Sequence, residues 1–343
     1  MRMDENQRRE MHWFCASNSA RGYVSYFEEN FRGLRRVCRL HDYPLFAARE
    51  MLVSVLETAR ERGILPEIIH NCLTNELQGI RLPQISAGIW ISDPWYEDSE
   101  GGLSLLDDEL LHAVRSMLSS AEESLERARL LREDWQKLYA DKVDFSAADR
   151  LTEQLGEELL GGRSLEKPGR CVHRFFDAFT AKGRAEYIRS LTNSLSRRCF
   201  LKGRPGTGKS TLLRKLAAFA RRRGFCTEIY HSSLDPDSFD MVIVRELGFC
   251  VFDSTAPHEY SPTRESDVVL DLYRETAAPA GELLFTPRIT ELAEEYRDAL
   301  RQAGEKLHLA GEAAEAFWQF HLYPLDEDEA EKRRLMILRS LFG

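Results

Sequence analysis

The chain has 343 residues, 43% of them hydrophobic and 30% charged, with a net charge of −9 and a pI near 5.6. That length supplies about two domains with sizeable cores, and the acidic balance argues against general electrostatic capture of nucleic acid or an anionic membrane. No run of about 18 apolar residues is present, so no membrane span is expected.

At the N-terminus, MRMDENQRRE is polar and lacks the apolar centre of a secretory leader. The seven cysteines are odd in number and include no CxxC pair. Cys38, Cys199, Cys226 and Cys250 lie in or beside apolar strand-like runs, which reads as buried thiols in a reducing cytoplasm. LHDYPLFAAREML, residues 40–52, reads by itself as a strand, a turn and the start of a helix. Residues 105–160 hold two charged, periodic stretches around ADKVDFS and predict a helical hairpin with a solvated outer face. GGRSLEKPGR, residues 161–170, is the expected linker, so domains are expected over residues 1–165 and 166–343. RITELAEEYRDALRQAGEKL and AGEAAEAFWQFHL, over about residues 288–320, predict a second hairpin. The two hairpins together offer a surface for a protein partner. DEDEAEKRR is expected as the solvated start of a final helix.

Residues 203–211 read GRPGTGKST and satisfy G-x-x-x-x-G-K-[ST] in full. RRCFLKG before them predicts a short strand. KSTLLRKLAAFARRRG after them predicts an amphipathic helix with Leu212, Leu213, Leu216, Ala217 and Phe219 on one face and Gly224 as its stop. In this context Gly203, Gly206 and Gly208 let the backbone curl until its N–H groups point at phosphate oxygens, and the positive end of the helix adds to that pull. The nucleotide-binding residues are therefore expected to be Gly203, Arg204, Pro205, Gly206, Thr207, Gly208, Lys209, Ser210 and Thr211. Lys209 would reach the β- and γ-phosphates, the Ser210 hydroxyl would ligate Mg²⁺, and Thr211 would sit near the α-phosphate. The cations Arg221, Arg222 and Arg223 suit the helix C-terminus; Arg197, Arg198 and Lys202 carry no further signal.

A Mg²⁺-bound triphosphate also needs an acidic residue at the end of a neighbouring strand. GFCVFDST offers Asp253 after four apolar residues, so Asp253 joins Lys209 as a catalytic candidate and Ser210 as a metal ligand. The next residue is Ser254, not a glutamate, so this motif names no water-activating group. Asp235, Asp237 and Asp240 read chiefly as turn formers after the strand-like TEIYHSS, with substrate positioning as the second reading. His258, just past Asp253, is a candidate contact to nucleotide or substrate.

Shifting the sequence by 161 positions exposes an internal repeat over residues 12–73. His12 falls on His173, Tyr26 on Tyr187, Leu40 on Leu201, Pro44 on Pro205, Glu67 on Glu228 and His70 on His231. One residue of slippage later, Asp93 meets Asp253. LHDYPLFAAREML thus occupies the place of the phosphate loop, with Asp42 on Gly203, Leu45 on Gly206, Ala47 on Gly208, Ala48 on Lys209 and Arg49 on Ser210. The backbone freedom, the charge for the phosphates and the metal-ligating hydroxyl are all missing, so the first half reads as a pseudo-site. The repeated histidines read as serving the fold, because one half keeps them without the loop.

Three features carry a family likeness: the H-x-F start of each half (HWF, HRF) followed by SARG or TAKG; LKGRPGTGKSTLL; and LDPDSFDMVIVRELGFCVFDSTAPH, a strand ending in D-x-T-A-P-H. Over most of its length the chain resembles an uncharacterised family of duplicated P-loop ATPases, hypothetical ATPase or nucleotide-kinase-like proteins of Gram-positive bacteria. The resemblance implies ATP binding. Those proteins generally look as if the first half also keeps a phosphate loop; this chain departs from them there.

The expected fold is α/β, with tandem duplicated P-loop NTPase-like units, parallel sheets and helical-hairpin extensions. The expected activity is Mg²⁺-dependent ATP hydrolysis in the second half only, with ATP favoured over GTP because no N/T-K-x-D guanine-reading motif occurs. The alternatives are phosphotransfer to a small molecule or nucleotide, with an acceptor pocket near Asp235 to Asp240, and a nucleotide-gated interaction protein with little turnover.

Overall fold

The computed structural model describes residues 10–41, 45–96, 109–140, 143–255, 259–276, 286–320 and 327–343. Asp42, Pro44 and His258 lie outside the described residues. The first half contains β1 (Met11–Phe14), β2 (Ala16–Ser19), β3 (Gly22–Ser25), α1 (Phe27–Phe31), β4 (Arg36–Leu40), α2 (Leu45–Glu61), β5 (Glu67–His70), β6 (Leu77–Leu82), β7 (Ala87–Ile91), α3 (Glu109–Ala140) and α4 (Phe145–Leu160). The second contains β8 (Cys171–Arg174), β9 (Asp177–Thr180), β10 (Gly183–Glu186), α5 (Ile188–Thr192), β11 (Arg197–Lys202), α6 (Lys209–Arg222), β12 (Thr227–His231), β13 (Phe239–Val244), β14 (Phe249–Asp253), β15 (Asp267–Asp271), α7 (Leu272–Thr276), α8 (Thr286–Phe320) and α9 (Glu327–Phe342). No described helix is long and apolar enough to cross a membrane.

Two larger sheets share one strand order. The first runs β1-β5-β6-β7-β4; the second runs β8-β12-β13-β14-β11, with β15 added outside β11. The expectation of parallel sheets is corrected: the chain is α/β, but both sheets are mixed. β1–β5, β4–β7, β8–β12, β11–β14 and β11–β15 are parallel, whereas β6 and β13 run antiparallel to both neighbours. Only residues 232–238 join β12 to β13, and a single 3₁₀ turn joins β13 to β14. Such links suffice for hairpins, while a parallel neighbour needs a crossover of a dozen residues or more.

Each sheet has one face covered by helices. On the first, Met51, Leu52, Val55, Leu56 and Ala59 recur at helical spacing along α2 and are buried with Ile68, Ile80 and Ile89. On the second, Leu212, Leu213, Leu216, Ala217 and Ala220 of α6 are buried with Leu201, Val242 and Val251. The opposite faces meet in one aromatic core, where Trp13, Phe14, Phe31 and Trp90 join Phe175, Phe176, Phe200, Tyr230 and Phe252. At its centre Phe14 and Phe175 exchange backbone hydrogen bonds of 2.9 and 3.0 Å.

The helices are exchanged between the halves, which corrects the expected hairpins. α3 pairs with α8. Leu111 and Val114 share a core with Ala314 and Phe317, and Leu125 and Ala128 share one with Ala299 and Ala303, so the pair is antiparallel. α4 leaves α3 and places Leu155, Leu159 and Leu160 on α6, while α9 places Ile337 and Leu341 on the sheet and α2 of the first half. α1 likewise packs on β8, and α5 on β1. Residues 288–320 form one unbroken helix rather than two. The helix runs unbroken through His308 and Leu309, where the two stretches were expected to part, and Gly311 just beyond serves close approach: a Cβ there would collide with the Cβ of Ala181.

Candidate functional site

The turn between β11 and α6 has Gly203, Gly206 and Gly208 at φ of +149°, +82° and +89°, where a Cβ is strained. Thr207 is fully buried and spends its hydroxyl inside the turn, donating 2.9 Å to the Arg204 carbonyl. Arg204 and Thr211 are exposed and Pro205 half-buried. Gly208 caps α6, whose first backbone bond runs from Leu212 N–H to the Gly208 carbonyl at 2.9 Å. The N–H groups of Lys209, Ser210 and Thr211 precede that bond, as the first donors of any helix do, and form an electropositive end.

Lys209 is buried against this turn, its Nζ donating to the carbonyls of Gly203 and Arg204 at 3.0 Å each and lying 3.7 Å from the Asp253 carboxylate. Burial pulls the ammonium below its ordinary pKa, and Asp253 opposes the shift. β14 is the direct neighbour of β11, with Asp253 paired to Leu201, so the carboxylate stands beside the strand that enters the turn. Ser210 accepts 2.9 Å from the Phe239 N–H, which ties the start of α6 to β13 and fixes the hydroxyl oxygen.

Asp240 lies on β13, not in a turn, and is almost fully buried. Met241 pairs with Phe252 across antiparallel strands, so one step along this register sets Asp240 opposite Asp253. Burial, with Asp253 and Asp177 adding, pushes the Asp240 carboxyl up to about 7, against the pull of Arg132 and Arg184. Asp235 keeps the expected turn role, accepting the Ser238 N–H on its carbonyl. Beyond Asp253 opens a cavity of about 240 Å³ bounded by Pro205 of the turn, Ser232, Ser233, Asp240, and Arg132 and Trp135 of α3.

A scan of protein-family models, a search of curated proteins and a search of solved structures each return no match to this chain.

The two sheets supply an internal comparison instead. Leu40 pairs with Ile91 where Leu201 pairs with Asp253, so the counterpart of Asp253 is Ile91, and the expected match to Asp93 is corrected by two residues. The register of β5 with β6, His70 on Leu77, repeats that of β12 with β13, His231 on Phe239, and puts Gln78 at the place of Asp240. Asp93 is instead held by Asn71 at 2.6 Å and Gln78 at 2.9 Å. The first-half cavity bounded by Arg49, Gln78 and Ile91 measures only about 10 Å³. Four positions thus differ together: Lys209 against Ala48, Ser210 against Arg49, Asp240 against Gln78 and Asp253 against Ile91.

The positions that stay alike make contacts within the core. His12 Nδ1 lies 2.9 Å from His70 Nε2, and His173 Nδ1 2.7 Å from His231 Nε2. Tyr187 stacks on the first pair, and Tyr26 covers the second, each from the other half. Sequence reasoning missed Arg132 and Trp135, which stand far from the loop in the chain, and ranked Asp240 low because its turn-forming neighbours hid its strand.

Proposed function

We propose that this protein binds ATP with Mg²⁺ in its second half and hydrolyses it, the first half being a duplicated P-loop unit whose site is lost. The observation that carries the reading is the turn from Gly203 to Gly208, three glycines at positive φ running into the N-terminus of α6 with a buried lysine beneath it. A nest of N–H groups at a helix start suits the phosphates of a nucleotide. The linked loss of Lys209, Ser210, Asp240 and Asp253 from the other half supports the same reading. The family resemblance points the same way.

In this reading Lys209 exchanges its two carbonyl partners for β- and γ-phosphate oxygens and offsets charge on the transferring phosphoryl group. The fixed Ser210 hydroxyl and the Asp253 carboxylate are hard oxygen donors of the number that Mg²⁺ takes from a protein when phosphates and waters complete its shell, and the bound ion would neutralise phosphate charge. Asp240, beside Asp253 and replaced by an amide in the first half, orients the attacking water through its carboxylate.

The cavity beyond Asp253 holds more than one water at about 30 Å³ each. That favours, as a second reading, transfer to a small hydroxyl-bearing acceptor placed there. Nucleotide titration with phosphate-release kinetics tests both. Lys209→Ala should weaken MgATP binding about 100-fold, on the scale of a lost hydrogen bond to a charged group. Asp240→Asn should keep affinity and lower turnover at least 100-fold. Unaltered affinity in Lys209→Ala defeats the assignment. Loss of ATP only when an acceptor is added, without free phosphate, selects the second reading.

A further inference from the structure

α3 belongs to the first half, yet its last turn rests on the phosphate loop of the second. A Cβ on Gly206 would lie 2.7 Å from the carbonyl oxygen of Gln136, so glycine at this position also lets α3 approach. Arg132 and Trp135, at helical spacing from Gln136, share the face that lines the 240 Å³ cavity next to Asp253. Both present unused donors. Arg132 makes no hydrogen bond or ion pair with a described residue, although it faces Tyr296, Asp240 and Asp253. The Trp135 indole N–H is buried and has no acceptor among the described residues. The other guanidinium of the cavity, Arg184, is already held by Asp177, bonded at 2.8 Å from Nε. The Asp240, Asp253 and Asp235 carboxylates act on Arg132 from beyond ion-pair distance, which leaves its fork of N–H groups without an acceptor among the described residues. A terminal phosphate suits that fork: anionic, multidentate and matched to a guanidinium.

We propose that Arg132 is a catalytic arginine supplied across the two halves, which contacts the γ-phosphate of ATP bound in the second half, with the Trp135 N–H as a second donor. The inference rests on the ATP-binding reading above. In the step it serves, a water oxygen forms a bond to the γ-phosphorus as the bond to the β,γ-bridging oxygen breaks. The bridging electron pair leaves on ADP, phosphate is released, and the water proton passes to solvent. Arg132 neither gives nor takes a proton; it offsets negative charge on the transferring group and the leaving oxygen. It also ties turnover to the α3–α8 pair, because a shift of α3 along α8 moves the arginine away from the phosphate.

The test uses the full chain with MgADP, MgATP and MgADP plus aluminium fluoride, which mimics the phosphoryl group in transfer. Arg132→Ala should bind MgADP within about threefold of wild type, fail to trap aluminium fluoride, and release phosphate about 1,000-fold more slowly, the lower end for such arginines. Added guanidinium should restore part of the rate to Arg132→Ala but none to Lys209→Ala. Arg132→Lys should remain much slower than wild type, since a point charge lacks the fork. Wild-type trapping and turnover in Arg132→Ala overturn the proposal and leave the ATP reading standing. So does a wild-type protein that binds MgADP but traps no aluminium fluoride. Equal losses of ADP and ATP affinity in Arg132→Ala also overturn it, as they indicate a collapsed loop. A wild-type protein that binds no nucleotide defeats the ATP reading itself.

Discussion

His70 and His231 are hydrogen-bonded rings placed where a positive charge is costly. His70 Nδ1–H donates to the Asn75 carbonyl at 3.2 Å, which leaves Nε2 of the neutral ring to accept from His12; His231 Nδ1–H donates likewise to the Pro236 carbonyl, and its Nε2 accepts from His173. Burial lowers His70 and His231 to about 4, with backbone acceptors and Glu76 or Asp237 opposing, and His12, His173 and Arg214 adding to the shift. A histidine whose folded value lies below its free value of 6.5 binds its proton in the unfolded chain first. Stability should therefore be constant above about pH 6.5 and fall as pH drops from 6.5 towards 4. Asp240 acts with the opposite sign, so the measurement belongs in an Asp240→Asn background. There the urea midpoint should decline steadily from pH 6.5 to 5, before ordinary carboxylates titrate, and the decline should shrink in His70→Gln. A flat midpoint over that range would show that these rings are not held neutral.

At the scale of single elements, α8 contains two glycines with opposite roles. Gly304 faces open space, with no atom within 4 Å of an added Cβ, whereas the Cβ of Gly311 would strike Ala181 at the tip between β9 and β10. Alanine favours a helix interior over glycine by roughly 0.8–1 kcal/mol, so Gly304→Ala should raise the melting temperature. Gly311→Ala should lower it despite the same propensity gain, since overpacking costs about 1–3 kcal/mol. Stabilisation by both substitutions would refute the close docking of α8 on the β9–β10 turn. Helical periodicity could announce α8 but not its two glycines' roles: one that faces open space and one that admits a neighbour look alike in sequence.

At the scale of the whole molecule, exchange of helices makes each half dependent on the other. Residues 166–343 alone would leave the apolar face of α6 without Leu155, Leu159 and Leu160 of α4, and would leave Ile337 and Leu341 of α9 without their sheet. That half should self-associate and bind a dye for exposed apolar surface, and co-expression with residues 1–165 should yield a soluble complex. A monomeric second half that unfolds cooperatively by itself would contradict this account.

The strand, turn and helix around Gly203–Thr211 were legible because their signals are local: glycines at set spacing, an apolar run before them and a 3.6-residue period after them. The repeat was legible too, because retained pairs such as His12 with His173 keep one offset. Antiparallel β13 was not, because its direction depends on links too short for a crossover. The pairing of α3 with α8 was not, because two amphipathic helices carry no label for their partner. By itself the sequence determined which stretch brings three closely spaced glycines into a helix start and which half lacks them. Only the tertiary structure decided that Asp240 stands beside Asp253 and that Arg132 reaches the loop from the other half. Those neighbours are set by strand register and by burial of apolar helix faces, both of which join residues far apart in the chain.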